Sequence, residues 1–167
     1  NVISRAKEIG YTPASKTAAK ATFDLTVNSP TIAGSTPTSL TILRGHRFNT
    51  VYDGQNYTFV SLDNKTISPV GSQFKFEALD VYQGSLTSDI YVYDGQETNQ
   101  RFVLVNPNVD TSTLSVTINS NNIVSSWTRA GDLTNVTTSS KNYFIQENDD
   151  GLFEIYFGDG VIGAKPL

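Results

Sequence analysis

The sequence contains no cysteine, no methionine and a single histidine, His46. Without cysteine, the chain has no disulfides, no thiolate metal sites and no thiol nucleophile. One histidine cannot form a two-histidine metal site, and a hydrolase would have to build its catalytic group on His46 alone. Because an open reading frame begins with methionine, we expect that the start was removed or that the chain is an interior piece of a longer polypeptide.

Charged residues are also scarce, at 17% of the 167 residues with a net charge of -4, against about 25% in ordinary soluble domains. No block of Lys or Arg provides the positive surface that holds a phosphate backbone. No apolar run approaches the roughly 18 residues of a membrane span, and the N-terminus lacks the pattern of a signal peptide. We therefore expect neither nucleic acid nor a membrane as a partner.

Short runs in which apolar and polar residues alternate dominate the rest of the chain. Alternation with period two, interrupted by turn residues every 8 to 12 positions or so, is typical of sandwiches and small barrels. The predicted fold is therefore mainly β, between all-β and α+β, with small antiparallel β-sandwich or barrel-like units. The predicted strands are Ala21 to Asn28, Leu40 to Leu43, Phe48 to Tyr52, Tyr57 to Leu62, Phe74 to Tyr82, Ile90 to Tyr93, Phe102 to Val105, Leu114 to Asn119, Tyr143 to Ile145 and Phe153 to Phe157.

Local signals refine this prediction. Asp53-Gly54 and Asn148 to Gly151 indicate hairpin turns, and a slip of the apolar phase between Ala78 and Leu79 indicates a β-bulge. Helix-forming residues followed by Gly10 predict a short N-terminal helix at Val2 to Ile9. We expect a helical connector over residues 1–20, a first β unit over 21–98 and a second over 99–167.

Gly158, Gly160 and Gly163 match the dinucleotide fingerprint G-x-G-x-x-G, and they follow a predicted strand. A true fingerprint opens a helix whose N-terminus holds the pyrophosphate, whereas Pro166 discourages a helix here. We therefore interpret the glycines as a turn that uses positive φ or close backbone approach.

Other patterns carry little chemistry. Ser4 to Lys7 fits the acylase motif S-x-x-K without its companion elements. The acidic turn residues Asp149, Asp150 and Asp159 lack the spacing of a calcium loop. The glycosylation sequons at Asn56, Asn64 and Asn135 are expected by chance in a chain rich in Asn and Thr. We predict no catalytic residue, no cofactor and no metal.

Several segments, taken in order, resemble the baseplate J-like family, in particular the large baseplate wedge subunit of T-even-type contractile-tailed bacteriophages. The most specific is the element Phe157-Gly158-Asp159-Gly160 with Gly163, which we interpret as a structural turn. Family members continue with a strand after this element, so the second unit can be incomplete at its C-terminus. The other matching segments are Ser4 to Pro13, Asp110 to Leu114 and Tyr143 to Glu147.

The resemblance implies a structural, non-enzymatic component of the tail baseplate in the virion, made in the host cytoplasm. It implies contacts with other wedge proteins and with copies of the chain itself, in a ring around the tail tube. In that family the polypeptide is much longer, so the chain corresponds to a central piece. The alternative is a carbohydrate-binding or adhesin β-module, in which Trp127, Tyr91 and Tyr93 would form an aromatic sugar platform.

Overall fold

The computed structural model describes residues 14–29, 35, 37–97, 99–131 and 136–166. These residues form strands joined by turns, with one 3-10 turn at Thr111–Thr113 and no α-helix. The mainly β prediction is therefore confirmed. The strands are β1 (Lys20–Asn28), β2 (Leu40–Ile42), β3 (Arg47–Tyr52), β4 (Gln55–Val60), β5 (Lys65–Ile67), β6 (Gln73–Gln83), β7 (Phe102–Val103), β8 (Val116–Ser120), β9 (Ile123–Arg129), β10 (Asn142–Glu147) and β11 (Phe153–Phe157).

The chain divides into two compact units. One comprises Ala18–Ser88. We call it the inner unit because, along the sequence, the other unit includes residues both before and after it. The other, the outer unit, comprises Asp89–Leu167 together with the chain up to Thr17. Within the outer unit, the Ser15 hydroxyl lies 2.9 Å from the Thr111 hydroxyl and accepts the N–H of Thr111 at 3.0 Å.

The inner unit is built on a four-stranded antiparallel sheet in the order β1-β6-β4-β3, beside a two-stranded antiparallel pair of β2 and β5. Alternation in β1 places Ala21, Phe23, Leu25 and Val27 against the core, as the sequence predicts. The buried core of this unit consists of Ile42, Phe74, Phe76, Leu79 and Val81.

The predicted bulge is present in β6. One residue of β1, Asp24, faces two residues of β6, Glu77 and Ala78. Ala78 has a φ of 49°, and its N–H donates to Asp24 Oδ1 at 2.8 Å. The extra residue resets the alternation, so apolar side chains on both sides of the bulge point into the same core.

The outer unit contains a five-stranded sheet in the order β7-β11-β10-β9-β8. Its pairs are antiparallel except for β9 with β10, which run parallel at Thr128 and Asn142. The purely antiparallel prediction is therefore wrong for this pair. The buried core consists of Phe102, Leu104, Trp127, Tyr143, Phe153 and Ile155.

Three other predictions differ from the structure. The stretch Ile90 to Tyr93 is not a strand, because no neighbouring strand pairs with it in the described residues. Strands β5 and β9 were not predicted, since neither shows a clear alternation. The predicted helix at Val2 to Ile9 lies outside the described residues, and the described part of the expected connector, residues 14–19, is not helical.

We predict that Ala78→Gly stabilises the protein by about 0.5–1 kcal/mol, because alanine at a left-handed φ is strained and glycine is not. Urea unfolding measures the effect. The matched control is Ala21→Gly on the regular part of β1, where glycine should lower the free energy of unfolding by about 0.5–1 kcal/mol. Equal losses for the two variants would contradict the assignment of strain to the bulge.

Candidate functional site

The glycine-rich turn that follows β11 begins in the core of the outer unit. The Phe157 ring packs edge-on against Trp127, with centroids 5.1 Å apart, and against Phe102 at 5.8 Å. A third ring, that of Tyr93, lies 6.3 Å away at 86°. Such edge-to-face contacts stabilise beyond the area that they bury, so the first residue of the turn is firmly anchored.

Asp159 organises the turn. Its Oδ1 accepts the N–H groups of Val161 at 2.8 Å and Ile162 at 3.0 Å. These two backbone hydrogen bonds, that of Ile162 first, lower the pKa of Asp159 below its ordinary value of 3.8. A further bond from Gly160 N to Gly163 O at 3.0 Å closes the turn. Gly160 and Gly163 have φ values of 92° and 83°, which side chains rarely adopt.

Gly158 is required for a different reason. A methyl group at this position would lie 2.3 Å from the carbonyl oxygen of Ile162 and 2.5 Å from the carbonyl of Gly163. The two backbone stretches therefore cross at van der Waals contact. The far end of the turn is held by Ala164, whose N–H donates to Ser140 O at 2.8 Å.

The turn presents two aliphatic side chains to solvent. Val161 is 72% exposed and Ile162 is 50% exposed, although their backbone is fixed by Asp159. Exposed aliphatic residues on a rigid turn are suited to contact another protein, because little conformational entropy is lost on binding. We call Val161 and Ile162 the aliphatic tip.

A polar and aromatic cluster covers the other face of the same sheet. The guanidinium carbon of Arg101 lies 3.8 Å from the centroid of the Tyr156 ring, which stacks on Phe144 at 5.1 Å and 22°. Buried Glu154 accepts a hydrogen bond from Gln146 at 2.5 Å and has Arg101 Nη1 at 3.7 Å. Because the charge of Glu154 is neutralised by these neighbours, the cluster fits a structural role.

The residues considered for catalysis and ligand binding do not converge. No helix follows β11 within residues 158–166, so Gly158, Gly160 and Gly163 lack the setting of a dinucleotide site. His46 is exposed and packs edge-on against Phe48 at 4.9 Å. No group of three or more His, Asp or Glu residues in the described part of the chain could hold a metal ion. The same part contains no helix long and apolar enough to cross a membrane.

The aromatic platform considered for sugar binding is also not formed. Trp127 is 6% exposed, and its indole N–H donates to Ser125 Oγ at 3.2 Å. Tyr93 packs against the same core. Of the three rings, only Tyr91 is exposed, at 42%. Sequence reasoning proposed these residues because aromatic side chains on strands can face either side of a sheet.

Sequence reasoning missed the aliphatic tip. Val161 and Ile162 were part of the glycine motif, but their side chains were assigned no role. The signal that could have found them is their position between Gly160 and Gly163, inside a turn in which aliphatic side chains have no core to enter.

Comparison with known proteins shows which proteins the chain is similar to. Residues 86–166 match the family model described as bacteriophage baseplate wedge protein gp6, third domain. This match covers nearly all of Asp89–Leu167 in the outer unit, including the glycine-rich turn.

One relative is baseplate wedge protein gp6 of Enterobacteria phage T4, to which the chain is 27% identical over 169 residues. The aligned region covers 99% of this chain and 24% of that protein. The chain therefore spans about a quarter of the length of the relative that it matches. The two comparisons together support a relationship with baseplate wedge proteins.

We predict that glycine substitutions in the turn differ in severity. Gly158→Ala should destabilise the protein by about 2–3 kcal/mol, because the new methyl group overlaps backbone. Gly160→Ala should cost only about 1–2 kcal/mol for its positive φ, since nothing lies within 4 Å of the new methyl group. Gly160→Val should cost more than Gly160→Ala and damage folding or assembly, because a β-branched side chain tolerates positive φ least.

Chemical unfolding of the variants tests this order. The control is Gly131→Ala, at a position with open space and no positive φ, which should leave stability within about 0.5 kcal/mol of the parent protein. If Gly158→Ala behaved like Gly131→Ala, the close crossing at Gly158 would not exist in solution.

We predict a pH-dependent contribution of Asp159. Its hydrogen bonds favour the ionised form, so the folded pKa lies below the unfolded value of about 3.9. The stabilisation is present above pH 3.9 and is lost as the pH falls through the lower, folded pKa. The difference in free energy of unfolding between the parent protein and Asp159→Asn should therefore be constant near neutral pH and should shrink towards pH 2. A difference that stayed unchanged down to pH 2 would exclude this contribution.

Proposed function

We propose that this chain is a structural, non-enzymatic part of the baseplate wedge of a contractile phage tail. The observation that carries the proposal is the ordered similarity to a baseplate wedge protein over 99% of the chain. The family match over residues 86–166 agrees with this similarity for the outer unit. The glycine-rich turn lies within the region that the family model matches.

The physical features of the outer unit favour a role in protein contacts. Its polar and aromatic cluster pairs Glu154 with Arg101, and the glycine-rich turn exposes two aliphatic side chains. Protein interfaces combine a few fixed apolar anchors with a polar surround. The aliphatic tip, held by the hydrogen bonds of Asp159, supplies such fixed apolar groups.

We further propose the finer points that the resemblance implies. The chain contacts other wedge proteins and copies of itself in a ring around the tail tube, and it binds no cofactor, nucleic acid or membrane. It is made in the host cytoplasm, becomes part of the virion tail baseplate and belongs to the baseplate J-like group. The element Phe157-Gly158-Asp159-Gly160 with Gly163 serves as a structural turn. The connector over 1–20 and the β units over 21–98 and 99–167 remain predictions.

Virions of the phage that encodes the chain provide the direct test. An antibody raised against the 167-residue chain should place gold label at the baseplate end of the tail, and mass spectrometry of purified particles should detect its peptides. Label on the capsid, or absence from purified particles, would refute the proposal.

The aliphatic tip can be tested in the same particles. We predict that Val161→Asp with Ile162→Asp leaves the thermal unfolding temperature nearly unchanged but reduces incorporation into baseplates at least tenfold, because charged groups would replace apolar contacts. The matched control exchanges the two residues, Val161→Ile with Ile162→Val, and should incorporate normally. Normal incorporation of the aspartate variant would show that the tip contacts no partner.

A further inference from the structure

Several turns of the chain contain a dipeptide that can react with itself. Aspartate is followed directly by glycine at four positions, which are Asp53-Gly54, Asp94-Gly95, Asp150-Gly151 and Asp159-Gly160. Glycine has no Cβ to shield its amide nitrogen, so this nitrogen can reach the side-chain carboxyl of the preceding aspartate. Whether it does so depends on what else holds the two groups.

Two of the four dipeptides lie in identical sequence. Val-Tyr-Asp-Gly-Gln occurs at residues 51–55 and again at residues 92–96. The intrinsic reactivity of such a dipeptide depends on its close neighbours, so both copies should react at the same rate in an unfolded chain. A difference between the two copies in the folded protein is therefore caused by the structure.

The first copy forms the turn between β3 and β4. Asp53 and Gly54 have φ values of 49° and 72°, as in a two-residue hairpin turn of type I′. Tyr52 pairs with Gln55 at the end of the ladder, and both turn residues are exposed. In the described part of the chain, neither the Asp53 carboxylate nor the Gly54 N–H has a hydrogen-bond partner.

The second copy is held by hydrogen bonds. Asp94 Oδ1 accepts the N–H of Gln96 at 2.9 Å, and the Asp94 N–H donates to Gln100 Oε1 at 2.8 Å. Gly95 O accepts a hydrogen bond from Lys165 Nζ at 2.9 Å. The Asp94 carboxylate must leave Gln96 before it can meet the Gly95 nitrogen, so the second copy is protected although its sequence is the same.

The other two dipeptides are protected at the glycine nitrogen. The Gly151 N–H donates to Asn148 O at 3.2 Å, and the Gly160 N–H donates to Gly163 O at 3.0 Å. Asp159 is engaged on the other side as well, since its carboxylate accepts two N–H groups of the glycine-rich turn. In these two turns the nitrogen must first give up its hydrogen bond.

We propose that Asp53-Gly54 is a site at which the chain modifies itself by forming isoaspartate. Of the four dipeptides, all of which the structure describes, it is the one with both reacting groups free. This reaction goes beyond the proposed function and is independent of it.

The reaction has two steps. The Gly54 nitrogen attacks Cγ of the protonated Asp53 carboxyl, an N–Cγ bond forms, and the nitrogen proton leaves with the carboxyl hydroxyl as water. Water then adds to one of the two carbonyls of the resulting five-membered imide. Opening at Cγ restores aspartate, whereas opening at the main-chain carbonyl leaves a chain that runs through Cβ and Cγ, with a free α-carboxylate. One water leaves and one returns, so the reaction needs no other reagent.

The modification would act on the pairing of β3 with β4. Isoaspartate adds one carbon atom to the main chain inside a two-residue loop, and the length of such a loop fixes the register of a hairpin. Strand β3 lies at the edge of its sheet, next to β4. We therefore expect this edge strand to loosen, while the outer unit is unaffected.

Ageing of the folded 167-residue chain, below its unfolding temperature, tests the proposal. Mildly acidic pH keeps part of each carboxyl protonated, as the loss of water requires. Peptide mass spectrometry, with fragmentation that distinguishes the two linkages, measures isoaspartate at each position. Asp53 should react roughly 3- to 10-fold faster than Asp94, because opening one ordinary hydrogen bond corresponds to about this factor. Asp159, with both groups engaged, should be the slowest.

The repeated pentapeptide supplies the control. In denaturing urea, Asp53 and Asp94 should react at equal rates. Gln100→Ala removes a hydrogen bond from the second copy, so in the folded protein it should raise the rate at Asp94 and leave that at Asp53 unchanged. Equal rates at the two positions in the folded chain, or a difference that persists in urea, would overturn the proposal. An Asp53 that stays unmodified in the folded chain while the unfolded chain reacts would also overturn it.

Hydrogen exchange of the aged protein measures the consequence. Amide exchange should become faster in β3 and β4 of the molecules that carry isoaspartate, and it should stay unchanged in β10 and β11. Unchanged exchange in β3 and β4 would show that the edge strand is not loosened.

Discussion

The contact on which the outer unit depends is that of the Phe157 ring with three other rings. Three rings contact Phe157. Tyr93 precedes β7 in the chain, Phe102 lies in β7 and Trp127 lies in β9. Phe157, the last residue of β11, therefore links these three parts of the outer unit to the start of the glycine-rich turn. This one side chain thus anchors the start of the turn and contacts Tyr93, which lies before β7.

Alternation in the sequence predicts which side of a strand faces the core, but it does not predict the neighbour of that strand. The residues of β1 and the bulge at Ala78 could be predicted because each depends on local phase. Tyr91 and Tyr93 do contact core residues, as alternation requires, yet within the described residues no strand pairs with this stretch. Pairing depends on the rest of the chain, and the sequence between Ile90 and Tyr93 does not contain that information.

Strand β9 shows the opposite case. Its burial follows no simple alternation, and Trp127 is its only buried residue. The strand forms because β8 pairs with it through the turn at Asn121 and Asn122, which both have positive φ, and because β10 adds on the other side in parallel. Such a parallel contact between distant segments leaves no signal in the local sequence.

The candidate site was predictable to the extent that glycine reports backbone conformation. Positive φ at Gly160 and Gly163 agrees with the turn that the motif predicts. The need for glycine at Gly158 arises from the carbonyl of Ile162, four positions away, which a motif alone does not reveal. The exposure of the aliphatic tip is likewise a property of the folded turn, because the same residues could be buried in another setting.

The antiparallel pairing of β1 with β6 places the two ends of the inner unit side by side, with Lys20 opposite Tyr82 and Gln83 N–H bonded to Ala19 O at 2.8 Å. A pulling force transmitted through the flanking chain would therefore act at one end of this ladder and open its hydrogen bonds one after another, as a zipper opens. If the force instead pulled two paired strands apart along their length, many hydrogen bonds between them would have to break at once. The inner unit should therefore open from this end, strand pair by strand pair, under tension.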